Sequence, residues 1–200
     1  MTIASDIAFT PSVKAVQAAK GSRALFAAME ASGGWSATIT PELTAFIATQ
    51  RSFLLATASA EGQPYIQHRG GPAGFLRPLD AHRLAFADFA GNRQYITLGN
   101  LAENPRAHIL LIDYMHRRRI KLWGTATVVE DDPDLLVSLT PAGYRARPQR
   151  VIVFNLATWD ANCPQHIPQR FEAEDVAAAL ESRDARIAEL EAELARLRGG

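Results

Sequence analysis

The feature that most constrains the fold is a pair of long strand-like segments, residues 107–114 and 118–129, separated by a short turn. In the second segment, aliphatic or small residues alternate with charged, tryptophan or threonine residues. This period of two is typical of a strand with one buried face. Ile120, Leu122, Gly124, Ala126 and Val128 fall on one side, and Arg119, Lys121, Trp123, Thr125 and Thr127 fall on the other. This hairpin predicts an antiparallel sheet in which the first set packs the interior of a barrel.

The remaining segments predict a mainly β chain with peripheral helices. Further strands are expected at residues 52–59, 64–69, 83–88 and 151–159. Helices are expected at residues 41–50, with Thr40 as the N-cap, and at residues 92–103, 132–139 and 171–198. Hairpins with few intervening helices favour an antiparallel barrel over a doubly wound sheet. Three parts follow from this pattern: a helical extension at residues 1–39 that is interrupted at Gly21, a barrel domain at residues 40–170, and a C-terminal helix at residues 171–200.

Composition excludes several classes of protein. The formal net charge is zero, so nothing favours a nucleic acid or a membrane surface. The basic run 116–119 at a hairpin tip is expected to be solvated. The single cysteine, Cys163, excludes an internal disulfide, and its Cys-x-x-His spacing to His166 lacks the further ligands that a metal needs. Without a signal peptide or a long apolar stretch, the sequence predicts a cytoplasmic protein.

Two polar segments are the strongest candidates for a binding site. One ends the strand at residues 64–69 and precedes two glycines, and the other stands at the predicted start of the helix at residues 92–103. An arginine beside the first N–H groups of a helix favours an anion. The alternatives are a strand end that faces water and an N-cap followed by two exposed helical residues. The candidate residues are Gln67, His68, Arg69, Asn92, Arg93 and Gln94.

Three blocks in the sequence identify a resemblance. QHRGGP begins at Gln67, GNRQYI at Gly91 and NCPQHI at Asn162. With them, residues 40–170 resemble the pyridoxamine 5'-phosphate oxidase-like flavoproteins, which are FMN-binding split β-barrels. The resemblance implies a homodimer with FMN at the subunit interface and redox chemistry at the flavin.

The resemblance also implies roles for individual residues. The six candidates above would hold the FMN phosphate and ribityl chain. Because the helix start carries Arg-Gln where the family has a basic pair, Arg69 or Lys121 would supply the second charge. The surroundings of the flavin ring would be formed by Lys121, Trp123, Gln165 and His166. Gln67 replaces an arginine of the true oxidases, and their C-terminal arginine-histidine signature is absent, which argues against a vitamin B6 activity.

These features predict an FMN-dependent oxidoreductase that acts on a small organic substrate, with a reduced nicotinamide or oxygen as the other partner. No Walker loop, G-x-S-x-G or H-E-x-x-H motif is present, so the chemistry would come from the cofactor. The alternatives are a non-catalytic binder of flavin, haem or deazaflavin, and an interaction module that uses the terminal helix. That helix carries a seven-residue repeat at Leu180, Ile187, Leu190, Leu194 and Leu197, which predicts pairing with a second copy or with the dimer surface, or else a single solvated helix.

Overall fold

A computed structural model describes residues 3–162 and 164–199, except for the side chain of Asn162. Cys163 therefore lies outside the described residues. The chain forms two compact units. The first contains the described residues of the ranges 1–113 and 119–163, and the second contains those of 114–118 and 164–200.

The first unit is built on one antiparallel sheet of seven strands. Its strand order is β2-β1-β5-β6-β7-β4-β3. The strands are β1 (Ser52–Ala58), β2 (Pro64–Gly70), β3 (Arg77–Pro78), β4 (Arg83–Phe89), β5 (Arg106–Asp113), β6 (Arg118–Val129) and β7 (Pro148–Asn162). The predicted antiparallel, mainly β architecture is confirmed, although β7 is longer than predicted.

The sheet curls around the larger of the two apolar clusters that the described residues form. Phe53 of β1 meets Phe86 of β4 at 5.0 Å between ring centroids, although the two strands are not neighbours in the sheet. The alternation predicted for β6 is confirmed, because Ile120, Leu122 and Ala126 are fully buried in this core. Gly124 lies in the same row, where an added Cβ would come 2.0 Å from the backbone oxygen of Asn155.

Three of the helices begin at side-chain caps. The Oγ1 atoms of Thr10 and Thr40 and the carboxylate of Asp132 accept hydrogen bonds from backbone N–H groups three residues later. This confirms Thr40 as a predicted N-cap. The helices are α1 (Pro11–Ala19), α2 (Arg23–Ala31), α3 (Pro41–Thr49), α4 (Ile96–Glu103), α5 (Pro133–Leu139) and α6 (Ala173–Arg198), and a short 3-10 helix covers Ala4–Ile7.

One helix begins later than the sequence predicts. Helix α4 begins at Ile96 rather than Asn92. The backbone φ angles of Arg93 and Tyr95 are 62° and 54°, in the left-handed region, so the chain cannot be helical there. The Asn92 side chain instead closes a turn by accepting a hydrogen bond from the Gln94 backbone N–H at 3.2 Å.

The N-terminal extension packs against β6 through aromatic rings. Gly21 separates α1 from α2 with a φ of 79°, as predicted. Phe9 contacts Trp35 at 5.0 Å, and Trp35 stacks on Trp123 of β6 at 4.8 Å with 19° between the ring planes. Within the extension, Arg23 forms an ion pair with the largely buried carboxylate of Glu30.

In the second unit, a long helix follows a short contact region. The Arg170 guanidinium carbon lies 4.6 Å from the centroid of the Tyr114 ring. All of α6 is exposed. Among the described residues, no helix is long and apolar enough to cross a bilayer.

Candidate functional site

A polar pocket lies in the first unit where β2, β4 and β7 meet the loop before α4. It brings together the two candidate segments, which are separated by more than twenty residues in sequence. Its lining consists of Tyr65, Gln67, Arg69, Asp88, Phe89, Gly91, Asn92, Arg93, Gln94, Tyr95, Ile96, Thr97, Leu98, Gln149 and Arg150.

Arg69 is the cation at the base of this pocket. It points from β2 toward β4, where its Nη1 donates to Oδ1 of Asp88, and its guanidinium carbon lies 6.0 Å from the Phe86 ring centroid. Both side chains of this ion pair are largely buried. Burial lowers the pKa of Arg69 and raises that of Asp88, while the attraction between the two charges opposes both changes.

The Nε–H of Arg69 is buried and has no hydrogen-bond partner among the described residues. Leaving a buried donor unsatisfied costs about 1–3 kcal/mol, and more for a charged group. An anion or another acceptor bound beside Arg69 would remove that cost.

Arg150, at the start of β7, adds a second buried cation. Its Nε lies 3.1 Å from the exposed Glu130 carboxylate, although the geometry is not that of a hydrogen bond. Its guanidinium carbon lies 5.6 Å from the centroid of the Tyr95 ring. This contact places the ring of Tyr95, the residue that precedes α4, beside Arg150.

The loop before α4 supplies a third arginine. Arg93 is exposed, in contrast to Arg69 and Arg150. The left-handed φ values of Arg93 and Tyr95 turn the chain sharply into α4. Tyr95 is the N-cap residue of α4, and its side chain forms no capping hydrogen bond. The first N–H groups of α4 therefore remain available to an acceptor.

Gln67 on β2 is joined to α4 by a hydrogen bond at the pocket. Gln67 Oε1 accepts hydrogen bonds from the hydroxyls of Thr97 at 3.0 Å and Tyr65 at 3.4 Å. One turn further along α4, Asn100 Nδ2 donates to Thr57 Oγ1 of β1 at 3.0 Å, and both side chains are buried. These bonds hold α4 against β1 and β2.

The pocket is suited to an anion. Three arginines face one carboxylate, and the positive end of the α4 dipole adds to the excess of positive charge. Among the described residues, no group of three His, Cys, Asp or Glu side chains could hold a metal ion. The predicted residues that the pocket unites are Gln67, Arg69, Asn92, Arg93 and Gln94.

The other predicted residues lie elsewhere. His68 is exposed on the opposite face of β2. Lys121 and Trp123 are on β6 and do not line the pocket, and Trp35 of the same chain stacks on Trp123. Gln165 and His166 form an exposed turn in the second unit. The roles proposed for these five residues stay predictions.

Of the two glycines after Arg69, Gly71 serves packing. Neither has a positive φ, and an added Cβ at Gly71 would come 2.6 Å from the Phe75 ring. Gly71 therefore makes room for the buried Phe75.

Sequence reasoning missed the residues that complete the pocket from distant elements. Asp88 and Arg150 lie on neighbouring strands and are partners in the β4–β7 ladder. Asp88 was detectable as a carboxylate within an otherwise apolar strand, but no local pattern marks Arg150. The missed lining residues with polar side chains are Tyr65, Asp88, Tyr95, Thr97, Gln149 and Arg150.

Comparison with known proteins gives a consistent assignment. Residues 39–163 match the family model described as pyridoxamine 5'-phosphate oxidase. No curated protein matches the chain significantly.

Several solved structures are similar to this chain. HupZ of Group A Streptococcus is 19% identical, with a TM-score of 0.51 over 66% of this chain and 99% of that one. A putative pyridoxamine 5'-phosphate oxidase from Lactobacillus delbrueckii is 20% identical, with a TM-score of 0.48 over 62% and 95% of the two chains. An FMN-binding protein from Syntrophomonas wolfei is 12% identical, with a TM-score of 0.47 over 76% and 95%. Because the family model covers more than half of the sequence, this split-barrel chain belongs to the pyridoxamine 5'-phosphate oxidase family.

Proposed function

We propose that this chain is an FMN-dependent flavoprotein oxidoreductase that acts on a small organic substrate. The observation that carries the proposal is the meeting of Arg69, Arg93, Arg150 and the uncapped N-terminus of α4 in one pocket. Family membership supports a flavin as the ligand.

The residues fit the phosphate end of FMN. A phosphate would offer the acceptor that the buried Nε–H of Arg69 lacks. The exposed Arg93 and the first N–H groups of α4 would donate to the same group. The polar side chains of Gln67, Asn92 and Gln94 would serve the ribityl chain.

Asp88 has a supporting role in this proposal. A carboxylate repels a phosphate, so it is not itself a ligand. It pairs with Arg69 and fixes the guanidinium against Phe86. The Arg69 donor is thereby oriented before any ligand binds.

When bound, a flavin supplies hydride and electron transfer itself. The protein needs only to hold the cofactor, orient the substrate and limit the access of water. This accounts for the absence of a recognisable acid-base pair from the sequence motifs. Lys121, Trp123, Gln165 and His166 remain our candidates for the surroundings of the ring.

We further propose a homodimer in which a second copy completes the site. Tyr95 and Ile96 line the pocket and yet are 49% and 39% exposed. Ile66, on the outer face of β2, is 63% exposed. Large apolar side chains exposed beside a binding site are typical of a surface that another subunit covers.

The pocket favours a flavin over haem. None of the residues lining the described pocket is a His, Cys or Met, which are the common axial ligands of haem iron. The excess of arginines instead suits a phosphate monoester. A deazaflavin with a phosphate-bearing tail would satisfy the same donors, so the cofactor must be identified directly.

The test is to record the absorption spectrum of the purified protein and to titrate the apoprotein with FMN and with riboflavin. We expect a yellow protein, or one that becomes yellow with FMN, and tighter binding of FMN than of riboflavin. Equal affinities would remove the phosphate site from the proposal. Mass spectrometry of the heat-released ligand separates FMN from a deazaflavin.

Catalysis is tested separately from binding. An oxidoreductase should show reduction of its bound flavin by a reduced nicotinamide, followed by reoxidation by oxygen or an organic acceptor over many cycles. Bound FMN that never turns over with any reductant would instead indicate a flavin-binding protein without catalysis.

A further inference from the structure

Helix α6 exposes an apolar stripe that is interrupted at Arg183. Six large apolar side chains on this helix are between 41% and 74% exposed. No residue of the helix is buried. The six are Val176, Leu180, Ile187, Leu190, Leu194 and Leu197.

The stripe follows the heptad repeat of a coiled coil. With Ala173 as the first position, labelled a, the a positions are Ala173, Leu180, Ile187 and Leu194. The d positions are Val176, Arg183, Leu190 and Leu197. Arg183 is the one polar residue among these core positions, and a polar residue there lowers the stability of a coiled coil.

The flanking charges indicate which partner fits. In a parallel pair, a g residue of one helix lies beside the e residue of the next heptad of the other helix. For two copies of α6, this places Arg186 beside Glu191 and Glu193 beside Arg198. Both contacts are attractive, and each occurs twice in a symmetric pair.

The charges of two copies are less favourably placed in an antiparallel pair. Such a pair sets the e positions of the two copies against each other, and likewise the g positions. In the register that places Leu180 opposite Leu197, Arg186 lies opposite Glu193, but Asp184 lies opposite Glu191. One attraction is then offset by one repulsion.

Arg186 also has a partner within its own helix, since its Nη1 lies 2.8 Å from Glu189 Oε2. Both side chains are more than 60% exposed, and such surface pairs contribute little. An intermolecular contact with Glu191 can replace this pair at small cost.

We propose that α6 pairs in parallel with α6 of a second copy of this chain. The apolar stripe of one copy is thus covered by the same stripe of the other copy, so that Ile187 faces Ile187 and Leu190 faces Leu190. This inference does not depend on the identity of the cofactor.

Cysteine cross-linking of the full-length chain tests the geometry. With Cys163→Ser as the background, Ile187→Cys and Leu190→Cys should each oxidise to a disulfide-linked dimer. Ala192→Cys, at the outward f position of the same heptad, is the matched control and should cross-link at least several-fold less. Equal cross-linking at positions 187 and 192 would overturn the proposal, as would the absence of intermolecular cross-links from both core positions.

Orientation is tested in the same background. A mixture of Leu180→Cys and Leu197→Cys chains would cross-link with each other only in an antiparallel pair, where these positions meet. We expect each variant to cross-link mainly with itself. A dominant mixed dimer would overturn the parallel arrangement.

Charge pairing gives an independent readout. In the Ile187→Cys background, Glu193→Arg alone and Arg198→Glu alone each place like charges at the Glu193–Arg198 contact. Co-expressed, the two variants restore attraction on both sides of a mixed parallel pair. We expect the cross-linked product to be enriched in the mixed dimer above the statistical ratio, and a purely statistical distribution would contradict the proposed contacts.

Discussion

The pairing of Arg69 with Asp88 shows how one residue in an apolar strand can prepare a binding site. Asp88 follows four buried apolar residues of β4, and its burial raises its pKa. A buried ion pair gains little net stability, because desolvation offsets the attraction. We propose that it instead orients Arg69, whose buried Nε–H has no hydrogen-bond partner among the described residues.

Arg93 offers the most direct test of the phosphate site. Replacing Arg93 with Ala should weaken FMN binding by about 1.5–3 kcal/mol, the scale of a hydrogen bond to a charged group. Alanine is no more strained than arginine at the left-handed φ of 62°, so the fold should be unchanged. Riboflavin affinity, measured by fluorescence titration, should barely change.

Arg106→Ala is the matched control, because Arg106 is exposed and does not line the pocket. It should leave both affinities unaltered. If Arg93→Ala weakens FMN and riboflavin alike, Arg93 supports the loop and not the phosphate.

The burial of His108 predicts a pH dependence of folding stability that can be assigned to this one residue. Burial, with a smaller contribution from Lys121, lowers the pKa of His108 to about 4, and its ring meets Trp123 edge-on at 4.9 Å. In the unfolded chain its pKa is about 6.5, so between these values the unfolded state binds more protons. Stability therefore falls as the pH falls from about 6.5 toward 4.

The variant His108→Phe keeps an edge-on ring and removes the titration. Between pH 7 and 4.5, its free energy of unfolding should fall less than that of the natural chain, by about 1–2 kcal/mol after allowance for partial solvent exposure. Urea unfolding at the two pH values measures the difference. Parallel losses in both proteins would show that His108 does not titrate in this way.

At the scale of elements, the sequence predicted the strands and faces that depend on the periodicity of apolar residues. The two-residue alternation located β6 and its buried face, and Thr40 located the start of α3. The start of α4 was misplaced, because a turn closed by Asn92 resembles an N-cap in sequence. Asp88 and Arg150 were missed because strand pairing, and not sequence distance, brings them to the pocket.

The N-terminal extension also depends on contacts that no local pattern encodes. Trp35 joins it to β6 by stacking on Trp123. Replacing Trp35 with Ala should weaken this docking by about 2–4 kcal/mol, given the usual cost of truncating a packed aromatic side chain. The extension should then open locally while the barrel remains folded.

Limited trypsin digestion measures this opening. Cleavage near Lys20 should accelerate markedly in Trp35→Ala, because proteolysis follows the population of the open form. Leu25→Ala is the control, since Leu25 lies in the same extension but is 69% exposed. Unchanged cleavage in Trp35→Ala would show that other contacts, such as the hydrogen bond from Trp159 Nε1 to the Thr38 carbonyl, hold the extension alone.

At the scale of the whole molecule, two surfaces are proposed to bring copies together. One is the barrel surface beside the pocket, where Ile66, Tyr95 and Ile96 are exposed, and the other is the stripe of α6. They differ in the stability they can provide. A coiled coil of about three heptads is marginal alone, whereas a subunit interface around a shared cofactor buries a larger surface.

A shortened chain that ends at Arg170 separates the two surfaces. It lacks α6 but keeps the whole sheet and its core, so we expect it to remain a dimer, with a dissociation constant only modestly raised. Because each flavin would contact both subunits, dilution below that constant should release FMN in parallel with dissociation. Sedimentation and flavin fluorescence over one dilution series follow the two events. A shortened chain that is monomeric and still binds FMN tightly would contradict the shared site, and one that loses both dimer and flavin would place the main interface in α6.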